Sequence, residues 1–403
     1  QAHCSKSSKL EVMTYLDHAA TTAMLPEAVA AMTAELAKPG NPSSLHSSGR
    51  RARKVVEESR EVIAAALGAR PVEVIFTSGG TESNNLAIKG LFWSRIKKDP
   101  KRNRILISAV EHHAVLDPVL WLKEHDHAIV ELLPVDELAR VSPETLRKAI
   151  EKNPEDVSLI SVMWANNEVG TIQPIKELVQ VAKEFNIPVH SDAVQAVGCL
   201  EVHFQDCGLD ALTVSGHKVG GPQGIGCLVV KRDLDLTPVL HGGGQEREVR
   251  SGTLAAPQIA GFAAAIKVAV SQRFNRATRL TSLRKDLINK VMQTVPDVVL
   301  NGDPELRLPG NVHFTFKGCE GDAILMLLDA QGIECSTGSA CSAGIPQPSH
   351  VLLAMGRDEA TARGSIRFSF GTTSTPDDVT DVINVLPAVV ERARRAGKPA
   401  VKS

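Results

Sequence analysis

The 403-residue sequence has few aromatic residues and no surplus of charge of either sign. Aromatic side chains make up 3% of the residues and apolar side chains 43%, so Ala, Val, Leu and Ile must build the core. Such residues are typical of buried parallel strands and the helices that cover them. The formal net charge of −1 includes no basic surplus and no acidic tail. We therefore expect no direct contact with nucleic acid.

Long apolar runs and paired cysteines are also missing. No run approaches the roughly 20 apolar residues that a membrane-spanning helix needs, so we expect no membrane contact. Residues 1–12 contain no signal-peptide hydrophobic segment, and we expect them to be an extension before a natural start at Met13. The seven cysteines are odd in number and include no Cys-x-x-Cys pair. We therefore expect no disulfide framework, no metal site, and a reducing, cytoplasmic location.

The length and the apolar pattern predict a large α/β domain and a smaller α+β domain. Short β-branched runs alternate with helical patterns between about residues 60 and 270, which is typical of βαβ units and a mostly parallel sheet. The predicted strands are residues 73–77, 104–108, 129–134, 158–164, 188–191, 211–215 and 225–230. Helices are predicted between them, for example over residues 83–97 and 175–185.

The pattern changes after about residue 270. A long charged helix is predicted over residues 271–294, and the elements after it are a strand at 311–316, a helix at 322–330, a strand at 364–369 and a helix at 376–396. We expect the large domain to comprise residues 25–270. The small domain would comprise residues 13–24 together with 271–403.

The run TSGGTESNN, residues 77–85, lies between a predicted strand and a predicted helix. Its glycines let backbone N–H groups approach an anion, and the helix start directs free N–H groups and a partial positive charge at it. The run therefore predicts a phosphate-binding turn, to which Ser78 and Thr81 add hydroxyl donors. An ordinary turn with Thr81 or Ser83 as N-cap is the alternative. No Walker lysine is present, so the turn does not indicate ATP.

Two polar residues follow predicted strands further along the chain. Asp192 ends the strand that begins the run HSDAVQ, where a carboxylate is costly to desolvate unless it meets a cation such as a protonated pyridine nitrogen. Lys218 ends the run SGHK after another strand, at the edge where ligands of α/β sheets gather, and can form an imine with an aldehyde. The simpler alternatives are that Asp192 caps a helix and that Lys218 is a solvated loop lysine.

The small residues from Thr337 to Gly344 have no hydrophobic period and predict a loop. In such a loop Cys341 is accessible, and it is a nucleophile if its thiolate is available. The alternative is that Cys341 is an incidental small residue. Cys335, six positions earlier, is predicted to be a strand or core thiol.

A phosphate-binding turn, a strand-end Asp and a strand-end Lys in this order are what a fold-type I pyridoxal 5'-phosphate (PLP) enzyme requires. The sequence resembles the cysteine desulfurases of the NifS/IscS class, which belong to the class-V aminotransferases. The matching stretches are residues 15–22 (YLDHAATT), 40–44 (GNPSS), 77–85, 111–116 (EHHAVL), 165–170 (ANNEVG), 190–195 (HSDAVQ), 215–218 (SGHK), 241–246 (HGGGQE), 250–253 (RSGT), 339–341 (SAC) and 365–369 (SIRFS). The resemblance therefore covers nearly the whole chain.

The resemblance implies the roles of individual residues. Lys218 would bind PLP as a Schiff base and move the substrate α-proton, His112 would stack on the ring, and Cys341 would take the sulfur as a persulfide. The remaining cofactor contacts would be Asp192 to the pyridine nitrogen, Gln195 to the ring hydroxyl, Gly80, Thr81, Ser215 and His217 to the phosphate, and Thr253 to the phosphate of the partner subunit in a homodimer. Asn167, also beside the cofactor, and Arg367 would bind the substrate carboxylate, with Arg367 as a bidentate clamp. Outside its motif, Arg367 would be interpreted as a surface salt bridge.

The implied reaction converts L-cysteine to L-alanine and passes sulfur through Cys341 to an acceptor protein, such as an iron–sulfur scaffold or a tRNA-thiolation protein. A selenocysteine lyase is the nearest alternative, and the Ser-Ala-Cys loop favours the desulfurase. A fold-type I aminotransferase or decarboxylase would need no loop cysteine. A non-catalytic scaffold would need neither Lys218 nor Asp192.

Overall fold

The structure, a computed structural model, describes residues 13–338 and 347–396. The strands in these ranges are β1 (Thr14–Tyr15), β2 (Val74–Thr77), β3 (Arg104–Ser108), β4 (Ile129–Leu133), β5 (Val157–Ser161), β6 (Val189–Asp192), β7 (Ala211–Ser215), β8 (Gly226–Val230), β9 (Val298–Leu300), β10 (Asn311–Phe316), β11 (Ile333–Glu334) and β12 (Ser365–Ser369). The α-helices are α1 (Pro26–Leu36), α2 (Ser47–Leu67), α3 (Gly80–Lys98), α4 (His113–His125), α5 (Pro143–Glu151), α6 (Ile175–Glu184), α7 (Phe204–Cys207), α8 (Ala256–Ser271), α9 (Arg273–Thr294), α10 (Gly321–Asp329), α11 (His350–Ala354), α12 (Glu359–Arg363) and α13 (Pro376–Ala396).

The larger sheet has seven strands in the order β2-β8-β7-β6-β5-β3-β4. The β3–β4, β3–β5, β5–β6 and β6–β7 pairs are parallel, whereas β8 is antiparallel to both of its neighbours. Each strand predicted between residues 73 and 230 overlaps a strand of this sheet, and the predicted α/β fold with a mostly parallel sheet is confirmed. The reversed direction of β8 was not predicted.

Alternate residues of the central strands face opposite sides of this sheet. In β3, Leu106 belongs to one apolar cluster, while Ile105 and Ile107 belong to another. In β5, Ile160 and Leu159 divide between the same two clusters in the same way. Since side chains alternate along a strand, helices must cover both faces, and the strands are apolar on both sides.

A second core lies around the antiparallel sheet β12-β10-β9. Helices α9, α10 and α13 cover this sheet, and Leu16 joins the same core from the N-terminal segment. The segment is also held by β1, which pairs in parallel with β11. The predicted strand at 311–316 and the helix at 376–396 coincide with β10 and α13. The domain limits at residues 25 and 270 stay a prediction.

Parallel pairing brings the carboxyl ends of several strands to one edge of the larger sheet. Strands β6 and β7 end there at Asp192 and Ser215, and the turn between β2 and α3 lies at the same edge. Ligands of open α/β sheets bind outside such an edge. In the described ranges, no helix combines the length and the apolar character needed to cross a membrane.

Gly226, the first residue of β8, fixes how closely that strand approaches the turn after β2. A Cβ at this position would lie 2.7 Å from the Val214 carbonyl oxygen and 2.8 Å from the Cα of Gly79. Because both are backbone atoms, we expect Gly226→Ala to lower the free energy of unfolding by about 1–3 kcal/mol. Urea unfolding measures this change. Gly243→Ala is the control, since its Cβ would meet only the movable side chain of Gln245. Equal stability of the two variants would contradict the prediction.

Candidate active site

A cavity of about 320 Å³ opens at the carboxyl edge of the larger sheet. Its volume lies in the range of small-molecule sites. The predicted site residues that line it are Gly80, Thr81, His112, Asn167, Asp192, Gln195, Ser215, His217, Lys218 and Arg367. Thr253 is exposed and does not line this cavity. Cys341 lies outside the described residues.

The turn before α3 has the geometry of an anion site. Gly79 is the N-cap residue, with a φ of +151°, and it makes no side-chain capping hydrogen bond. The first N–H groups of the helix therefore stay available to a ligand. The alternative of Thr81 or Ser83 as N-cap is wrong, because both residues lie within α3.

Gly80 keeps the space in front of this helix open. A Cβ there would lie 3.0 Å from Cγ2 of Val194 and 3.6 Å from Cβ of Ser215, so a side chain would narrow the gap. A second cavity of about 420 Å³ adjoins the first, and Gly80, Thr81, Ser215 and His217 line both. These four residues thus surround a space in front of a helix N-terminus, where a phosphate fits.

Glu82 places a carboxylate in the first turn of α3, where it would repel a phosphate if it were unpaired. Nε of Arg250 lies 2.7 Å from Oε1 of Glu82, and the backbone N–H of Ser78 donates to Oε2 at 2.6 Å. Burial raises the pKa of Glu82, but these hydrogen bonds outweigh that effect and hold it below its ordinary value. The ion pair offsets the negative charge and also ties the turn to the segment that carries Thr253.

Asp192 is a buried carboxylate at the end of β6. Its Oδ1 accepts a hydrogen bond from the backbone N–H of Val194 at 2.9 Å, and its Oδ2 accepts one from Nδ2 of Asn84 at 2.7 Å. The alternative of Asp192 as a helix cap is wrong, because turns follow it and the next described helix begins at Phe204. Two donors fix the carboxylate at the cavity wall, where it can stabilise a cationic ring nitrogen.

Lys218 follows β7 in a single 3-10 turn and is not a solvated loop lysine. Its Nζ donates hydrogen bonds to the carbonyl oxygens of Ala19 at 2.5 Å and Ala20 at 2.6 Å. Burial and then the charge of Arg367 lower the pKa of Lys218 to about 8, against the opposing charges of Asp17 and Asp192. A larger share of neutral, nucleophilic amine is therefore present near neutral pH than for an ordinary lysine.

His112 is the N-cap residue of α4. Its Nδ1 accepts a hydrogen bond from the backbone N–H of Ala114 at 3.0 Å, so the neutral ring carries its proton on Nε2. Burial lowers the pKa of His112, and the positive charge of Lys218 adds to that effect while Asp192 opposes it. A neutral imidazole thus lines the cavity. It can stack on a bound aromatic ring and donate a hydrogen bond from Nε2.

Arg367 lies on β12 and is 4% exposed. Its Nη1 donates to the carbonyl oxygen of Asn167 at 2.9 Å, and its Nη2 donates to Oδ1 of Asp17 at 2.7 Å. Nε is buried and has no hydrogen-bond partner among the described residues. Arg367 does form a salt bridge, but a buried one beside the cavity, so the alternative of a surface salt bridge is wrong. Donors remain free for a carboxylate ligand.

Sequence reasoning missed Asn84 and Asp17 as contacts of the site. Asn84 lies in the run interpreted as a phosphate turn, and its place four residues after Gly80 puts the two on one face of α3. Asp17 lies in a stretch that was recognised only as a match to the family. Its partner Arg367 is 350 residues away in the chain, and no local pattern indicates such a contact.

Known proteins match this chain in sequence and in fold. A profile of the family described as Aminotransferase class-V matches residues 14–382. The chain belongs to the aminotransferase class-V family. The predicted membership in the NifS/IscS class of cysteine desulfurases is confirmed by relatives of the same name.

The class-V relatives resemble this chain over almost their full length. An IscS-like cysteine desulfurase from Mycobacterium tuberculosis is 57% identical over 389 residues, which are 96% of this chain and 99% of that relative. A solved NifS-like protein has a TM-score of 0.87 and 33% identity, covering 94% of this chain and 100% of its own. The solved structure of SspA in complex with cysteine has a TM-score of 0.76 and 34% identity, covering 88% of this chain and 98% of its own.

Class-V enzymes of this kind use PLP, which confirms the predicted cofactor. The residues of this chain fit that group. Lys218 provides an amine of lowered pKa, Asp192 provides a fixed carboxylate, and the start of α3 provides free N–H groups. Oδ1 of Asn84 is buried without a partner among the described residues, beside the carboxylate that would meet the ring.

Asn84 gives a test of how Asp192 is held. We expect Asn84→Ala to raise the dissociation constant of PLP about 10- to 100-fold, since the loss of one hydrogen bond to a buried charge costs about 1–3 kcal/mol. Absorbance titration of the cofactor-free protein with PLP measures the constant. Asn85→Ala is the matched control, because the neighbouring Asn85 donates only to the carbonyl oxygen of Thr81. Equal affinities in the two variants would contradict the assigned role.

Proposed function

We propose that this chain is a PLP-dependent cysteine desulfurase, which converts L-cysteine to L-alanine and transfers the sulfur to Cys341 as a persulfide. The observation that carries the proposal is that Lys218 and Arg367 line one cavity. An amino acid whose carboxylate binds Arg367 would have its α-carbon beside the amine of Lys218. The relative from Mycobacterium tuberculosis is named a cysteine desulfurase, and SspA was solved with cysteine bound.

In this proposal each described side chain has one task. PLP, when bound, stores the electrons released at the substrate α-carbon. Arg367 binds the carboxylate, and its contacts to Asn167 and Asp17 keep the guanidinium oriented before substrate arrives. Neutral Lys218 accepts the α-proton at Nζ, and the carbonyl oxygens that Nζ contacts stabilise the resulting ammonium. His112 closes one wall of the site.

The spacing of Cys341 from residues that line the cavity supports its role as the sulfur acceptor. Ser336 and Gly338 line the cavity, and Cys341 follows Gly338 by three residues, which span at most about 11 Å when extended. In the overall reaction, L-cysteine and the Cys341 thiol give L-alanine and the Cys341 persulfide. The S–S bond forms as the C–S bond of the substrate breaks.

The far side of the same segment is fixed to the substrate-binding region. Oγ of Ser349 donates to Oε2 of the buried Glu168 at 2.5 Å, and Glu168 follows Asn167, whose carbonyl oxygen contacts Arg367. The described residues on both sides of Cys341 are therefore attached beside the substrate carboxylate position. This arrangement supports the transfer of sulfur from the cavity to Cys341.

We further propose a cytoplasmic homodimer in which Thr253 reaches the phosphate of the partner subunit. Thr253 is exposed, and the ion pair of Arg250 with Glu82 holds its segment next to the phosphate turn. Of the described cysteines, Cys199, Cys207, Cys227, Cys319 and Cys335 are all free thiols, which suits a reducing compartment. The sulfur acceptor would be a carrier protein, such as an iron–sulfur scaffold or a tRNA-thiolation protein.

The assignment of Cys341 is tested by its replacement. With L-cysteine and a thiol reductant, we expect the wild-type protein to release alanine and sulfide in equal amounts, and Cys341→Ala to lower the rate of sulfide release more than about 100-fold, because the nucleophile is lost. Cys335→Ala is the matched control. Burial raises the pKa of Cys335 to about 12, so it carries almost no thiolate at neutral pH.

Other results would favour the alternative enzymes. Sulfide release by Cys341→Ala at the wild-type rate would contradict the role of Cys341. Faster turnover of selenocysteine than of cysteine by the wild-type protein would indicate a selenocysteine lyase. Transfer of the substrate amino group to a keto acid, unchanged in Cys341→Ala, would indicate an aminotransferase.

A further inference from the structure

A turn at residues 17–20 covers part of the candidate active site. The turn contacts both sheets. Asp17 forms a bridge with Ser369 on β12, while Ala19 and Ala20 line the cavity at the carboxyl edge of the larger sheet. Nε2 of Gln195 donates to the carbonyl oxygen of Ala19 at 2.9 Å, so the turn also contacts a residue expected at the cofactor ring. The turn thus lies against both the cofactor side and the substrate side of the cavity.

The carboxylate of Asp17 has a single hydrogen-bonding partner among residues 13–338 and 347–396, Nη2 of Arg367. Its side chain is 22% exposed, and that of Arg367 is 5% exposed. With Nη1 held by a carbonyl oxygen on the other side, the guanidinium is fixed at two points. A planar group held in this way does not have to reorient when a carboxylate ligand binds.

The turn is also held by hydrogen bonds that do not involve this carboxylate. The hydroxyl of Tyr15 donates to the carbonyl oxygens of Asp17 and Thr21, and the backbone N–H of Ala19 donates to Oγ of Ser369 at 2.9 Å. These bonds use the backbone of the turn. The side chain of Asp17 is therefore available for a role in the site itself.

We propose that Asp17 is a positioning residue of the active site, whose carboxylate orients Arg367 for the substrate carboxylate and whose negative charge stabilises the ammonium form of Lys218. This inference rests on the proposed function for its substrate. The two effects act on different steps, since Arg367 binds the substrate and Lys218 accepts its proton. The single negative charge of Asp17 therefore acts on both the guanidinium of Arg367 and the amine of Lys218.

Charged and titratable groups face Lys218 from several elements. They are Asp17 in the turn, Asp192 at the end of β6, Arg367 on β12, His112 before α4, and His217 beside Lys218 itself. Burial lowers the pKa of His217 to about 4 and also lowers that of His112. Near pH 8 both rings are neutral, so the carboxylates and Arg367 are the charges that matter for Lys218.

Two substitutions separate orientation from charge. Asp17→Asn keeps an oxygen that accepts from Nη2 of Arg367 but removes the charge, whereas Asp17→Ala removes both. We expect Asp17→Ala to raise the KM for L-cysteine about tenfold, the effect of losing one oriented charge-assisted contact. We expect Asp17→Asn to keep the wild-type KM or lower it, because the guanidinium is no longer shared with a second carboxylate.

A readout without catalysis is the rate at which the cofactor-free protein incorporates PLP at different pH values. The reaction needs the neutral amine of Lys218, whose pKa of about 8 sets the midpoint in the wild-type protein. Asp17 raises this pKa, so Asp17→Asn moves the midpoint to lower pH. The variant incorporates PLP faster than the wild-type protein at pH 7 and equally fast well above the midpoint.

Asp381→Asn is the matched control for both measurements. Oδ2 of Asp381 accepts a hydrogen bond from Thr14 at 2.8 Å, so this variant removes a carboxylate that contacts the same N-terminal segment away from Arg367. The proposal is overturned if Asp17→Ala keeps the wild-type KM, or if the incorporation midpoint of Asp17→Asn does not move below that of Asp381→Asn. If the wild-type protein makes no alanine from cysteine, the proposed function fails, while PLP incorporation still tests the effect of Asp17 on Lys218.

Discussion

The active site depends on the parallel pairing of β5, β6 and β7. Parallel strands end at the same edge, so Asp192 and the turn that carries Lys218 come together without any contact that is specific to the cofactor. The loop after β5 carries Asn167 to the same edge, and the parallel neighbour β3 brings the loop with His112 there. The backbone hydrogen bonds between the core strands thus bring these residues to one edge of the sheet. Short loops after the strands then position the side chains.

Electrostatic balance at that edge follows from burial. A guanidinium and two carboxylates lie beside Lys218 in a space that excludes much of the solvent, so their charges alter the protonation of its amine. Lys218 shows the result, because burial and Arg367 favour the neutral amine while Asp17 and Asp192 favour the ammonium. With a pKa of about 8, the amine is present in both its neutral and its protonated form near neutral pH.

The sequence predicted the strands well because each is a short β-branched run between turn residues, and β3 and β7 coincide with their predicted bounds. It did not predict that β8 runs antiparallel, since strand direction depends on neighbours far away in the chain. Asp192 and Lys218 were predicted as site residues from motifs that follow strands, and His112, Asn167, Gln195 and Arg367 from the resemblance to the family. Asn84 and Asp17 were not, because their contacts join residues 108 and 350 positions apart. His112 as a helix N-cap also needed coordinates, since histidine is not among the residues that usually predict one.

Lys218 is held by main-chain carbonyl oxygens rather than by side chains. Every amino acid provides the same carbonyl, so exchanges at positions 19 and 20 leave the acceptors in place as long as the turn keeps its path. The lysine's hydrogen bonds are therefore robust to mutation at the residues that make them. These hydrogen bonds would be lost only if the backbone of the turn changed its conformation. Substitutions that cause such a change are expected at the residues that stabilise the turn, and not at the residues whose carbonyl oxygens contact the amine. A comparison of side chains alone would overlook these contacts of Lys218.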